Sequence, residues 1–305
     1  MLARLPLPLR LPLIVSLLLL STLGHVSILM CVAVLKALTP AGKRARLDAW
    51  LIGIAERWIG INSRLIDRFT RIRWQIDLPP TLSPSANYLV LSNHQSWVDI
   101  PVLQYVFNRR IPFMRFFLKR ELIWVPLLGL AWWALDFPFM RRYTRAQLAR
   151  RPELAGTDIA ATRRACEKFR AIPVSVMNFV EGTRFTVQKH ARQSSPHEHL
   201  LRPKAGGVGY VVDAMGDSLR SVLDVSIAYP GGRPTLMDLL RDRVPEIRVH
   251  AVERPIPPEL ILVDYAAHAE HRARFQKWIN QLWEEKDAVL GRLLAPVTPD
   301  ALPPS

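Results

Sequence analysis

Between Leu11 and Leu35 the chain reads LPLIVSLLLLSTLGHVSILMCVAVL, 25 residues without an Asp, Glu, Lys or Arg. As a helix this run is long enough to cross a hydrocarbon core of about 30 Å. Arg4 and Arg10 precede it, and Lys36, Lys43, Arg44 and Arg46 follow it. The heavier cluster after the run favours a cytoplasmic C-terminal side. A cleaved leader, a buried helix of a soluble core and a re-entrant hairpin broken at Gly24-His25 are the other readings. No small-x-small site closes the run, which argues against cleavage.

The next segment, LDAWLIGIAERWIGINSRLIDRF, places Trp50, Ile54, Trp58, Ile61, Leu65 and Phe69 at spacings of three or four. The pattern is that of an amphipathic helix, with tryptophans suited either to the headgroup level of a membrane or to packing on a soluble core.

Charge narrows the partners. Against 26 Asp+Glu stand 41 Lys+Arg, a net +15 on 305 residues that are 50% hydrophobic. Such a surface attracts anions. No zinc-finger spacing, ribonucleoprotein motif or aromatic-interleaved basic repeat is present, and the cations adjoin apolar runs, so a lipid surface is expected and nucleic acid is not. Cys31 and Cys166 are too few and too far apart for a disulfide framework or zinc site, as in a reducing compartment.

Beyond residue 71, β-rich runs alternate with helical patterns. Strands are expected at 72–77, 88–92, 113–118, 174–180, 222–229 and 246–252. This is an α/β pattern with a mostly parallel sheet flanked by helices. A helix is expected from His268 to Leu294, with Phe275, Ile279, Leu282 and Leu290 inward. The expected organisation is a membrane anchor at 1–46, an interfacial helix at 47–70, a domain at 71–295 and a Pro-rich disordered tail at 296–305.

Two stretches carry candidate chemistry. SNHQSWVDIP (92–101) leaves the strand at 88–92, on the sheet edge where α/β sites form, with His94 five residues before Asp99. In that turn the aspartate can hold one imidazole nitrogen while the other takes a proton. Equally, Asn93 and Ser96 can be helix caps and Asp99 a charge favoured by the helix dipole. NFVEGTRF (178–185) also follows a strand. There Gly182 permits a tight turn, Arg184 suits phosphate, and Glu181 can orient that arginine or organise the turn. Between the two, FFLKRELIWVPLLGLAWWALDFPFMRRY is an apolar stretch bordered by Lys119, Arg141 and Arg142.

These blocks resemble the glycerophospholipid acyltransferase family, which includes the lysophosphatidic acid acyltransferases. NHQSWVD is similar to its NHxxxxD block, FLKRELIWVPLLG through FPFMRR to its second and FVEGTR to its third. VLDVSIAYP at 222–230 resembles the fourth block of the lysophospholipid and lysocardiolipin branch, with Ile227-Ala228-Tyr229-Pro230 in place of the commoner Val-Pro core. The segments EKFR, NFVEG and AYP are also similar to a bacterial inner-membrane member.

The resemblance covers roughly residues 70 to 285 and implies a glycerolipid acyltransferase-like fold. The implied reaction moves a fatty acyl group from acyl-CoA or acyl carrier protein to a free hydroxyl of a lysophospholipid, with no cofactor and no metal. His94 would be the general base and Asp99 its orienting partner. Glu181, Gly182, Thr183 and Arg184, assisted by Lys119 and Arg141, would hold the acceptor phosphate. Backbone N–H groups near Gly182 or the helix start would stabilise the oxyanion. The implied location is the inner membrane, with the domain facing the cytoplasm.

A metal site would need KHARQSSPHEHL, where His190, His197 and His199 lack a completing cysteine or carboxylate. A CoA-independent transacylase and a non-catalytic binder of anionic lipid are the rival classes. The oligomeric state is left open.

Overall fold

The computed structural model describes residues 2–140, 150, 166–167, 169, 172–261, 265 and 268–296. The expected disordered tail thus lies outside the described residues, except for position 296.

Helix α1 (Leu7–Leu38) is continuous through Gly24-His25, so the chain does not break into a hairpin there. It packs instead on α2 (Ala45–Phe69), after a short turn, as an antiparallel pair. Leu47, Leu51, Ala55, Ile59, Ile66 and Phe69 form the buried stripe of α2. This departs from the expected stripe. Trp50 is 53% exposed, Ile54 and Trp58 only flank the core, and Leu51, Ala55 and Ile59 enter it beside Val26, Leu29 and Ala33 of α1. The close helix–helix seam therefore takes the narrower side chains, and the wide indole of Trp50 is left on the outer flank.

A six-stranded sheet follows: β1 (Arg73–Asp77), β2 (Tyr88–Ser92), β3 (Met114–Phe116), β6 (Ser175–Phe179), β7 (Ser221–Ala228) and β8 (Glu246–Arg254), in the order β1-β8-β7-β2-β6-β3. All lie within the stretches expected from sequence, give or take a residue or two. A two-stranded ribbon, β4 (Leu118–Lys119) with β5 (Phe139–Met140), was not anticipated. The sheet is mixed. Strands β7, β2, β6 and β3 run parallel, whereas β8 runs antiparallel to β7 and carries β1 with it.

Apolar layers cover both faces. On one, α1, α2, α3 (Asp99–Phe107) and α4 (Leu128–Ala134) meet Tyr88, Val90, Met177 and Val225. On the other, α6 (Gly206–Met215) and α8 (Ala269–Leu294) meet Leu89, Leu91, Val176 and Val222. The alternating residues of β2 thus point into two cores, and every residue of the strand is buried. Phe275, Ile279, Leu282 and Leu290 of α8 face inward as expected.

Both ends of α1 are tied to this one domain. Near its start, the buried Arg10 pairs with Asp242 at 3.2 Å and donates to the Arg241 carbonyl oxygen at 3.0 Å. Asp242 lies between α7 (Leu236–Leu240) and β8. Near its other end, Lys36 pairs with Asp48 of α2 and with Asp136 just after α4, each at 2.6 Å. About 39 Å of helix separates the two anchor points, so α1 lies along the flank of the domain.

Candidate active site

The parallel strands β2, β6 and β7 end at a common edge, and the chain builds the site there. Immediately after β2, the Asn93 carboxamide donates to the Ile227 carbonyl oxygen and accepts from the Ile227 N–H, both at 2.9 Å. Asn93 therefore locks the turn to β7 rather than capping the helix. Ser96 accepts from the Val98 N–H at 2.9 Å, and its hydroxyl donates to the Pro234 carbonyl oxygen. The next turn opens α3 at Asp99.

Fully buried Asp99 organises this turn. Its Oδ2 accepts from the Gln95 N–H at 2.7 Å and the Ser96 N–H at 2.9 Å, and lies 2.8 Å from His94 Nδ1. Its Oδ1 accepts from the Tyr229 hydroxyl at 2.7 Å. A carboxylate held by this many donors fixes the proton on His94 Nδ1 and leaves Nε2 with the free lone pair. The His94 side chain is only 14% exposed, and its ring stacks on Phe179 with centroids 3.8 Å apart. Burial and the Asp99 charge together push the Tyr229 hydroxyl well above its usual pKa, so it stays a donor.

The second block closes over the same turn. Glu181 is 1% exposed, and its two carboxylate oxygens accept from the His94 N–H and the Leu201 N–H, each at 2.9 Å. Burial raises its pKa to about 7. Its position corrects the expected role, because an acid sealed in this way orients the backbone of His94 and has no face to offer a phosphate. Gly182 sits at φ 68°, the left-handed region its lack of a Cβ allows, and its N–H is spent on the Phe179 carbonyl oxygen at 2.8 Å.

Phe185 returns to the first block, its N–H donating to the His94 carbonyl oxygen at 2.7 Å. Arg184 is exposed, its guanidinium 4.7 Å from the centroid of the half-exposed Trp97 ring. Thr183 accepts from Lys189 Nζ at 2.7 Å, and the same ammonium donates to the Arg184 carbonyl oxygen at 2.9 Å. Lys189 belongs to α5 (Val187–Gln193).

The expected oxyanion donors are also mostly committed. The Gln95 and Ser96 N–H groups point to Asp99, and that of Gly182 to Phe179. The N–H groups of Trp97, Thr183 and Arg184 have no partner among the described residues.

Of the remaining expected residues, Lys119 is exposed on β4, just beyond β3, and Arg141 lies outside the described residues. His190 places a ring nitrogen 2.6 Å from the His197 carbonyl oxygen, and the His199 N–H donates to Asp287 at 2.8 Å. Those histidines serve loop structure.

Comparison with known proteins decides what this edge belongs to. A family model described as Acyltransferase matches residues 73–229, just over half of the chain. The chain belongs to the acyltransferase family. It is 25% identical over 284 residues to 1-acyl-sn-glycerol-3-phosphate acyltransferase epsilon of Mus musculus, covering 84% of this chain and 70% of that protein. It is 24% identical over 250 residues to 2-acyl-1-lysophosphatidylinositol acyltransferase of Saccharomyces cerevisiae, covering 68% of this chain and 61% of that protein. In three dimensions it is similar to the 1-acyl-sn-glycerophosphate (LPA) acyltransferase PlsC of Thermotoga maritima, with a TM-score of 0.50 and 16% identity, covering 92% of this chain and 97% of that one. The last likeness shows the fold.

In this acyltransferase the matched region runs from β1 to Tyr229 and holds His94, Asp99, Glu181 and Arg184. Two residues of the site escaped sequence reasoning. Tyr229 stood out only as a departure in the fourth block. Arg233 gave no local signal, yet its guanidinium lies 3.9 Å from the Phe185 ring centroid.

Proposed function

We propose that this acyltransferase is a membrane-bound lysophospholipid acyltransferase that moves a fatty acyl group from a thioester donor, acyl-CoA or acyl carrier protein, to a free glycerol hydroxyl. The observation that carries the reading is His94 Nδ1 held 2.8 Å from an Asp99 carboxylate that three further donors fix in place.

His94 Nε2 takes the proton of the acceptor hydroxyl as its oxygen attacks the thioester carbonyl. Asp99 stabilises the imidazolium that forms. The tetrahedral intermediate collapses, the carbon–sulfur bond breaks and the thiolate leaves with the proton from His94. General-base assistance of this kind is worth about 10²- to 10⁴-fold in rate. Arg184, exposed beside Trp97, supplies a planar fork for the acceptor phosphate, with Thr183 next to it in the chain and Lys119 and Arg141 as further cations for that phosphate.

The lipid substrates give the apolar flank a purpose. Leu9, Leu13, Leu19, Leu20, Leu23, Ile28, Val34 and Leu35 of α1 are exposed, as are Trp124, Leu130 and Trp133 around α4. Because both ends of α1 are bonded to one domain, α1 lies in one face of the bilayer and does not carry the chain across it. Arg4, Lys43 and Arg46 then meet headgroups on the same side, the inner membrane's cytoplasmic face by the excess of positive charge.

Membranes bearing the protein, incubated with labelled acyl-CoA and a panel of lysophospholipids, test the reaction. Incorporation should fall by about 100-fold or more in His94→Ala. Incorporation unchanged by that substitution would remove the base, and incorporation without any thioester donor would favour transacylation between phospholipids.

A further inference from the structure

The loop after β7 reads YPGGRPT, and both its ends are pinned to the catalytic turn. At one end Tyr229 donates its hydroxyl to Asp99, and at the other the Pro234 carbonyl oxygen accepts from Ser96. Between them the Gly232 N–H donates to the Tyr229 carbonyl oxygen at 2.9 Å, and Gly232 takes φ 94°, a value that residues with a side chain rarely adopt. That turn delivers Arg233 onto Phe185, with the guanidinium carbon 3.9 Å from the ring centroid. Phe185 is itself bonded through its N–H to the His94 carbonyl oxygen at 2.7 Å.

Arg233 and Arg184 share an unusual state. Each guanidinium lies over an aromatic ring, and neither has a side-chain hydrogen bond or ion pair among the described residues. Elsewhere Arg10, Arg71, Arg202 and Arg248 commit theirs to carboxylates or carbonyl oxygens. Stacking on a ring leaves the in-plane N–H donors open and restricts the rotamers, which lowers the entropy lost on binding. Glu181 lies close enough to Arg233 to act on its charge, yet its carboxylate bonds the backbone N–H groups of His94 and Leu201 and makes no hydrogen bond to either guanidinium among the described residues.

We propose that Arg233 is a second anion-binding group of this site and holds a substrate phosphate, beside the one assigned to Arg184. The proposal rests on the acyl-transfer reading only in naming the phosphate's source, either the acceptor head group or the nucleotide of the donor carrier. It brings the loop beyond the fourth block into substrate selection.

The test is equilibrium binding to the detergent-solubilised full-length chain, which needs no turnover and so separates this site from the proposed reaction. Two phosphate-bearing probes are used, a soluble short-chain lysophosphatidate and coenzyme A. Their phosphate-free counterparts are the matching monoacylglycerol and pantetheine. Arg233→Ala should weaken one phosphate-bearing probe by about 10- to 100-fold and leave the counterparts unchanged. Arg233→Lys should recover part of the loss, since a point charge replaces a fork. Loss confined to lysophosphatidate assigns the acceptor, and loss confined to coenzyme A assigns the donor. Both phosphate probes binding Arg233→Ala as tightly as wild type, or equal weakening of a probe and its counterpart, would overturn the proposal.

Discussion

At the scale of single residues, the site depends on how Asp99 is satisfied. Oδ2 serves His94 and two backbone N–H groups, while Oδ1 is held by Tyr229. Removing that hydroxyl in Tyr229→Phe leaves Oδ1 without its donor and loosens the carboxylate that orients His94. Turnover should fall about 2- to 10-fold, as for the loss of one hydrogen bond, with the acceptor KM unchanged. An unchanged kcat would reduce Tyr229 to packing. Glu181 gives a second prediction. Its folded pKa of about 7 lies above the ordinary 4.5, so between those values the folded state holds a proton that the unfolded state has lost. This contribution to stability is full at low pH and is lost as pH rises through that window. In urea unfolding, the advantage of wild type over Glu181→Gln should therefore shrink from pH 5 to pH 7.5, while the glutamine, turning a donor toward an N–H, costs about 1–3 kcal/mol throughout. His94 and Asp99 were readable from sequence because five residues span a single turn. Tyr229 was not readable in its role, and for Glu181 a turn-organising part was readable but its hold on His94 was not, because 130 and 87 residues separate them from these partners.

At the scale of elements, runs of β-branched and aromatic residues were enough to find the strands of the main sheet: β2 and β7 are buried along their whole length and largely apolar, whereas the edge strand β1 shows the period-two alternation of a half-covered strand. Direction was harder. A parallel return from β7 needs a crossover over the sheet, and its connection to β8 holds only the five residues of α7 as helix, so the antiparallel neighbour is the one within reach. The two short strands of the ribbon carry no period at all, which is why it was missed. Helix α8 shows what amphipathic spacing omits. Beside its apolar stripe, Lys286 is 1% exposed, forms an ion pair with Asp224 of β7 and donates to the Val225 carbonyl oxygen at 2.6 Å. Arg254 also reaches Asp224, at 3.2 Å, and Glu285 of α8, at 2.6 Å. Lys286→Met should destabilise the fold toward the lower end of the about 3–5 kcal/mol typical of removing one partner of a buried pair, since Arg254 still covers Asp224. Chemical denaturation measures it, and a loss below about 1 kcal/mol would show that Arg254 alone compensates Asp224.

For the whole molecule, the arrangement of α1 decides how the proposed membrane contact would be made. The uncharged run is long and apolar enough to cross a bilayer by length and composition, and sequence alone leaves a single span and a re-entrant hairpin both open. The tertiary pairing favours neither. An upright crossing would put Arg10 and Lys36 in opposite aqueous phases, yet Arg10 is bonded to Asp242 and Lys36 to Asp136 of the same domain. Stripping the first pair would leave the buried Arg10 without a carboxylate, while Lys36 would keep Asp48 and lose Asp136, so the stronger restraint on a flat arrangement is at the Arg10 end. Labelling of the full-length chain in sealed inner-membrane vesicles reads this directly. With Cys31 and Cys166 replaced by serine, single cysteines at Leu5 and Thr39, which flank α1, should both react with a membrane-impermeant maleimide from the cytoplasmic side. Reaction of the two from opposite sides would require α1 to cross and would break the Arg10 and Lys36 pairs. The outward face offers the complementary measurement, because Leu20→Glu, at a position 64% exposed, should shift the protein from the membrane to the soluble fraction of a flotation gradient without unfolding it.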